Sequence, residues 1–265
     1  MMKSNYHTHT KRCGHASGRD EAYVAAAVEQ GFDVLGFSDH VPWPYKSSYR
    51  HPGVRMDVTE MDEYLSSVRA LRDRYQGRIE ILTGFECEYF PAYMEWLREI
   101  KEEKKLDYLI LGNHYDTSDE TGMYFGSVST PGELRRYVDM TIAGLRTGLF
   151  TYLAHPDLFM RRWPGFDADA EAAARDLCAC CRELGIPMEY NVHDRYLYPS
   201  THRISYPDES FFEIVREAGV PVLIGLDAHD PNEIRNPEQW NRAERELQRF
   251  GDLFLRELPR LTTGK

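Results

Sequence analysis

Gly219–Asp230 reads GVPVLIGLDAHD, and the fold turns on this stretch. Its first half, Pro221–Leu226, is an almost unbroken apolar run, too short for a helix and without polar alternation. Such a run fits a strand buried on both faces, as in a parallel sheet covered by helices. The second half then supplies Asp227 and His229 in quick succession. An apolar strand ending in ligand-type residues is how a βα barrel builds a site, because the carboxyl ends of its strands converge on one mouth.

The same cycle recurs seven times along the chain. Strands are predicted at Ser4–His7, Asp33–Ser38, Ile79–Glu86, Asp107–Gly112, Phe150–Ala154, Pro187–Asn191 and Pro221–Leu226. Helical patterns lie at Arg19–Gln30, Thr59–Tyr75, Ala92–Lys104, Pro131–Thr147, Asp169–Leu184, Asp208–Ala218 and Glu238–Phe250. Gly31, Gly77, Gly185 and Gly219 follow helical runs as left-handed caps should, and Pro131 suits a first helical turn. Seven βα units predict a barrel or near-barrel, and no G-x-G-x-x-G supports a dinucleotide fold. The longest aperiodic segment, Val41–Asp57 (VPWPYKSSYRHPGVRMD), reads as an ordered lid or rim loop rather than a domain boundary. A single domain spanning residues 1–265 is therefore expected, since α/β barrels reach about 250 residues as one unit.

Composition narrows the function. At 42% hydrophobic and 12% aromatic residues the chain can bury a substantial core, which excludes a disordered or fibrous protein. A formal charge of −11, with no Lys/Arg-rich run, makes nucleic acid an unfavourable partner. No run of 18 apolar residues exists to cross a membrane, and the opening MMKSNYHTHTKRCGH is polar where a signal peptide would be apolar. Five cysteines, three of them crowded at Cys178, Cys180 and Cys181, are not a disulfide framework; Cys178 and Cys181 read as core on one helix face. A cytoplasmic location is expected.

Aligning the strands by their C-terminal ends exposes the chemistry. The first ends in His7 and His9, the second in Asp39 and His40, and the third in Glu86 and Glu88. The next four run into His114, His155, then Asn191 and His193, and finally Asp227 and His229. Seven of the ten histidines thus fall at one end of successive strands, with His15 in the loop after the first. Crowded imidazoles repel one another when protonated, and a divalent cation is the common partner that keeps them ordered. His7 and His9, at i and i+2 on a strand, share a face and can reach one ion. So many candidate ligands suit two or three ions joined by a carboxylate better than one open site. Asp39 is either a ligand or a residue orienting His40, and Glu88 reads as support for a ligand. His51 and His202 read as rim residues, His193 has no partner by spacing, and Cys13 is at most an accessory soft ligand. A Ser-His-Asp hydrolase lacks its G-x-S-x-G elbow, and glycosidase chemistry from Glu86 and Glu88 would leave the histidines unexplained.

Taken together, HTHT at 7–10, His15, the SDH at 38–40, the GFE at 84–86, His114, the HPD at 155–157 and GLDAH at 225–229 resemble the polymerase and histidinol phosphatase (PHP) family. The C-G-H after HTHT is most similar to its monofunctional histidinol-phosphate phosphatases. The resemblance implies a distorted seven-stranded, TIM-like βα barrel with two or three divalent ions of zinc, iron or manganese. By position, one ion falls to His7, His9, Glu86 and Asp227, a second to Glu86, His114 and His155, and a third to His15, His40 and His229. Glu86, Asp227 and Asp39 are then the catalytic carboxylates, Asp39 or a metal-bound water protonating the leaving alkoxide.

The reaction so implied is hydrolysis of a small phosphate ester by hydroxide bridging two ions, with L-histidinol phosphate as the expected substrate. The alternatives are another substrate of the same chemistry (a sugar phosphate, a nucleotide or a phosphodiester) or a metal-binding module without activity. An arginine should clamp the phosphate. No Lys or Arg lies between His114 and Arg135, which leaves Arg161, Arg162, Arg195 and Arg203. Arg195 is favoured because it follows a strand end, with Arg162 second. Trp43, Tyr45 and Tyr49 are expected to stack on the substrate from the rim loop, and His193 to touch it.

Overall fold

A computed structural model describes residues 2–194 and 206–259. Its seven strands are β1 (Ser4–Asn5), β2 (Val34–Phe37), β3 (Glu80–Cys87), β4 (Tyr108–Leu111), β5 (Tyr152–Leu153), β6 (Met188–Asn191) and β7 (Val222–Gly225). All pair in parallel and in chain order, from β1 to β7. Helices lie between successive strands and turn an apolar face onto the sheet. The first five are α1 (Asp20–Glu29), α2 (Met61–Arg74), α3 (Met94–Glu103), α4 (Pro131–Leu145) and α5 (Ala168–Leu184). Thr130 caps α4 through a capping box with Glu133, and Pro131 occupies its first turn. The four predicted cap glycines all have positive φ.

Apart from β3, the strands are shorter than the apolar runs suggest, and His7 and Ala154 fall outside β1 and β5. A short helix at Pro231–Arg235, absent from the sequence reading, starts at Asp230 with its own capping box.

The barrel closes between β7 and β1 in three different ways along one seam. At the mouth the backbone pairs directly, His9 donating to Ala228 O (2.9 Å) and Ala228 to His7 O (3.2 Å). Midway the Asn5 side chain replaces the ladder, accepting from Leu226 N (2.9 Å) and donating to His7 O (3.0 Å) and Thr8 Oγ1 (2.8 Å). At the base the C-terminal segment fills the gap, with Leu255 N donating to Val222 O and Leu258 N to Tyr6 OH. Removing a buried amide that satisfies several groups costs roughly 1–3 kcal/mol. Asn5→Ala should therefore lower unfolding free energy by about that amount in urea, and an unchanged midpoint would show that the seam is held elsewhere.

Inside the barrel the layers differ sharply. The lower half is an apolar plug of Tyr6, Tyr108, Tyr152, Ile110 and Leu223. The buried polar side chains His7, His9, Glu86, His155, Glu189 and Asp227 collect toward the strands' carboxyl ends. Val41–Asp57 holds no helix or strand but buries Val41, Trp43, Arg55 and Met56, as an ordered rim loop should.

Candidate metal centre

Glu86, near the end of β3, is the hub. Its Oε1 lies 2.7 Å from His155 Nε2 and 3.5 Å from His114 Nε2. Its Oε2 lies 3.1 Å from His40 Nδ1, 3.4 Å from His7 Nε2 and 3.5 Å from His9 Nε2. Asp227 Oδ1 approaches His9 Nε2 (3.0 Å), His7 Nε2 (3.4 Å) and His229 Nδ1 (3.5 Å) from the opposite wall. Gly112 makes room for the hub, because a Cβ there would fall 1.9 Å from Glu86 Oε1. His155 and Asp227 have φ of 28° and 50°, a conformation that costs non-glycine residues about 1–3 kcal/mol and collects at functional sites.

Three sets of three, each with ligand atoms within 4.8 Å of one another, are His7–His9–Glu86, Glu86–His114–His155 and His15–His40–His229. These are the groupings expected by position, with Asp227 bordering the first. Cys13 also falls within reach of His9 and His229, but burial pushes its thiol up and keeps it neutral.

The donor set fits cations on two grounds. First, four histidines point Nδ1 at an oxygen that can only accept: His7 at Glu189 (2.8 Å), His114 at Glu88 (3.1 Å), His15 at Cys13 O (3.2 Å) and His229 at Asp227 O (2.8 Å). The proton therefore sits on Nδ1 and Nε2 is left as a ligand. Second, His7 Nε2, His9 Nε2, His40 Nδ1, His229 Nε2 and Asp227 Oδ1 are buried with no hydrogen-bond partner. Leaving one such group unsatisfied costs about 1–3 kcal/mol, so a cluster aimed at one space calls for a common partner.

Charge is distributed accordingly. Burial alone would raise the Glu86 carboxyl, but His114, His7, His40 and His155 hold it well below the usual carboxylate range. Asp227 is held low against burial by His7, His193, His9 and His229. Burial lowers His9, yet Asp227 and Asp39 outweigh it and lift the imidazole to about 9. His40 and His229 go the other way: burial pushes both well below their usual value, so they stay neutral.

The remaining expected residues divide. His193 lines the cavity, its ring 4.7 Å from that of His229. Asp39 does not reach the cavity: it accepts from Thr10 N (3.1 Å), the Thr10 hydroxyl and His40 N (2.8 Å), and faces His9 Nδ1 at 3.5 Å. It thus orients His9 rather than the His40 ring, and proton donation to a leaving group is not open to it there. Trp43 is likewise corrected as a substrate platform. Its ring is buried against Phe90, Tyr93 and Trp96, and its Nε1 donates to Glu88 (2.8 Å). Tyr45 and Tyr49 are tied to Asp119, as is His51.

Among the arginines, Arg162 is exposed and outside the cavity lining, whereas Arg161 is part of that lining. Leu158–Arg161 is a 3₁₀ turn, and its three-residue period puts Leu158 and Arg161 on one face toward the mouth. Arg161 Nη1 donates to Tyr124 OH at 2.8 Å. Arg195, His202 and Arg203 lie outside the described residues. Together with Tyr115, Tyr124, Tyr206 and the histidines, Arg161 encloses about 300 Å³.

Glu88 links the centre to the rim loop. It accepts from Arg55 Nη2 (2.9 Å), which reaches Asp119 through Nε (2.8 Å). Burial would raise Glu88, but Arg55 and then His114 bring it down from 4.5 to about 2. A depressed carboxyl contributes stability above its unfolded pKa and loses it as pH falls through the folded one. The melting-temperature gap between the native chain and Glu88→Gln should therefore be full at pH 6 and shrink between 4.5 and about 2. An equal gap at pH 6 and pH 3 would contradict this.

Comparison with known proteins identifies the family and the fold. Residues 5–193 match the PHP domain family. The chain is 27% identical over 236 residues to "Probable histidinol-phosphatase" of Deinococcus radiodurans, covering 86% of each. It is 21% identical over 262 residues to the histidinol-phosphatase of Bacillus subtilis, covering 88% of this chain and 96% of that one. Its fold superposes with a TM-score of 0.70 on histidinol phosphate phosphatase of Lactococcus lactis complexed with zinc, L-histidinol and phosphate, at 16% identity and covering 96% and 94% of the two chains. From the ordered match and the seven-stranded barrel that carries it, the chain belongs to the PHP domain family.

Proposed function

We propose that this chain is a metal-dependent phosphoric monoester hydrolase acting, as one domain, on L-histidinol phosphate. The observation that carries the reading is the ring of buried, partnerless imidazole and carboxylate atoms around Glu86 and Asp227. Histidinol-phosphatase relatives of nearly equal length support the substrate. His7, His9, Glu86 and Asp227 would hold one ion, Glu86, His114 and His155 a second, and His15, His40 and His229 a third. When bound, divalent ions supply the acidified water and the positive charge that phosphate-ester hydrolysis needs.

The protein's own groups do the rest. Arg161, steadied by Tyr124, presents guanidinium donors to the phosphate oxygens and meets the charge that develops on them. Tyr115, Tyr124 and Tyr206 offer ring surface to a flat leaving group, and His193, kept neutral by burial, offers it a hydrogen bond. The cavity, at about 300 Å³ among the described residues, suits a small ester.

The test is phosphate release from L-histidinol phosphate beside sugar phosphates, nucleotides and a phosphodiester dye. The reading predicts kcat/KM above about 10⁴ M⁻¹s⁻¹ for the first and far lower values for the rest. Preference for another ester would keep the chemistry and replace the substrate; no release from any would end the reading.

A further inference from the structure

Glu189 is wholly buried on β6, between the Tyr152 hydroxyl of the apolar plug (3.5 Å) and groups of the metal centre. Its Oε1 takes the Nδ1 proton of His7 at 2.8 Å. Its Oε2 accepts from the backbone N–H of His155 at 3.0 Å and from Asn191 Nδ2 at 2.8 Å. The same Asn191 nitrogen reaches Asp227 Oδ2 at 3.2 Å. One carboxylate is thereby connected to candidate ligands that follow three other strands, β1, β5 and β7. Two of those, His155 and Asp227, are the ones with positive φ, which the backbone does not hold without support.

The neighbouring strand is shaped around it. At Gly225 a Cβ would stand 1.8 Å from Glu189 Oε1, so only glycine admits the carboxylate there. The GLDAH stretch thus combines a ligand pair with the clearance for the residue that aims it.

We propose that Glu189 is the positioning residue of this centre: it fixes His7 with Nε2 free, pins the backbone turn at His155 and, through Asn191, sets the angle of Asp227. The assignment rests on the metal-centre reading above. Groups that orient metal ligands this way are worth about 10- to 100-fold in metal affinity. Glu189→Gln keeps the volume but turns an amide N–H₂ toward either His7 or the His155 N–H, both donors, so one bond must break.

The experiment titrates zinc into the metal-free native chain, Glu189→Gln and Asn191→Ala, in competition with a chromophoric chelator. Thermal melts of the metal-free proteins run alongside. Glu189→Gln is expected to bind zinc about 10- to 100-fold more weakly, and Asn191→Ala to show a smaller loss in the same direction. A purely structural role would lower the melting temperature and leave the affinity of the folded protein unchanged, which overturns the proposal. Should Glu189→Gln fail to fold, Asn191→Ala decides, and native affinity in it also overturns the proposal. A native chain that takes up no zinc would instead refute the metal-centre reading itself.

Discussion

Glu86→Gln is expected to lower kcat for L-histidinol phosphate at least about 10³-fold and to reduce the zinc retained per chain. Both oxygens of this carboxylate are committed, one facing His155 and His114, the other His40, His7 and His9. An amide of the same size fills the space that Gly112 leaves but carries no charge and offers one acceptor instead of two. Losing one ion's worth of charge stabilisation amounts to several kcal/mol, and each 1.4 kcal/mol is about tenfold in rate. Near-native turnover with full metal content would remove Glu86 from the bridging position.

Arg161→Met should cost about 10²–10³-fold in kcat/KM, the usual effect of deleting one preorganised donor aimed at developing charge. Bound metal should not change, because the hydrogen bond that Arg161 makes is to Tyr124, which is not a candidate ligand. Arg162→Met, one position further along, should leave the rate close to native. If Arg161→Met were silent, the phosphate clamp would have to come from elsewhere, and Arg195 would be the next residue to change.

The contrast between those two arginines shows where sequence reading loses resolution. Both follow HPDLFM, and nothing in that string says whether the turn repeats every 3.6 or every 3.0 residues; the 3₁₀ period selects Arg161. Trp43 misled for a related reason. An aromatic in a proline-rich loop looks available for stacking, but here the loop folds its apolar side chains inward beneath Arg55, Glu88 and Asp119. Glu189 is hard to find in the sequence because it stands inside strand Pro187–Asn191 and not at the strand end where barrel ligands collect. The signal was present: a lone carboxylate at i−2 from Asn191, inside a strand whose other neighbours are apolar. By contrast, the seven-fold βα cycle and the histidines at its strand ends were legible. A parallel barrel buries both strand faces and collects its ligands at one end, and both habits leave a one-dimensional trace.

The geometry also explains the order of the chain. His7 and His9 follow β1, Glu86 lies on β3 and Asp227 follows β7, positions up to 220 residues apart, so the centre assembles only when the β7–β1 seam closes. Asn5 and Ala228 close it immediately below and beside the ligands. On the proposed reading folding and metal uptake are coupled, since a site built this way does not exist in the unfolded chain.

The most direct test of the account measures phosphate release from L-histidinol phosphate by the native chain as isolated, after exhaustive chelation, and after return of zinc, iron or manganese, with bound metal counted at each stage. The account predicts two or three ions per chain when active, loss of turnover as they are removed, and recovery when they return. Full activity in a chain stripped of metal would contradict it.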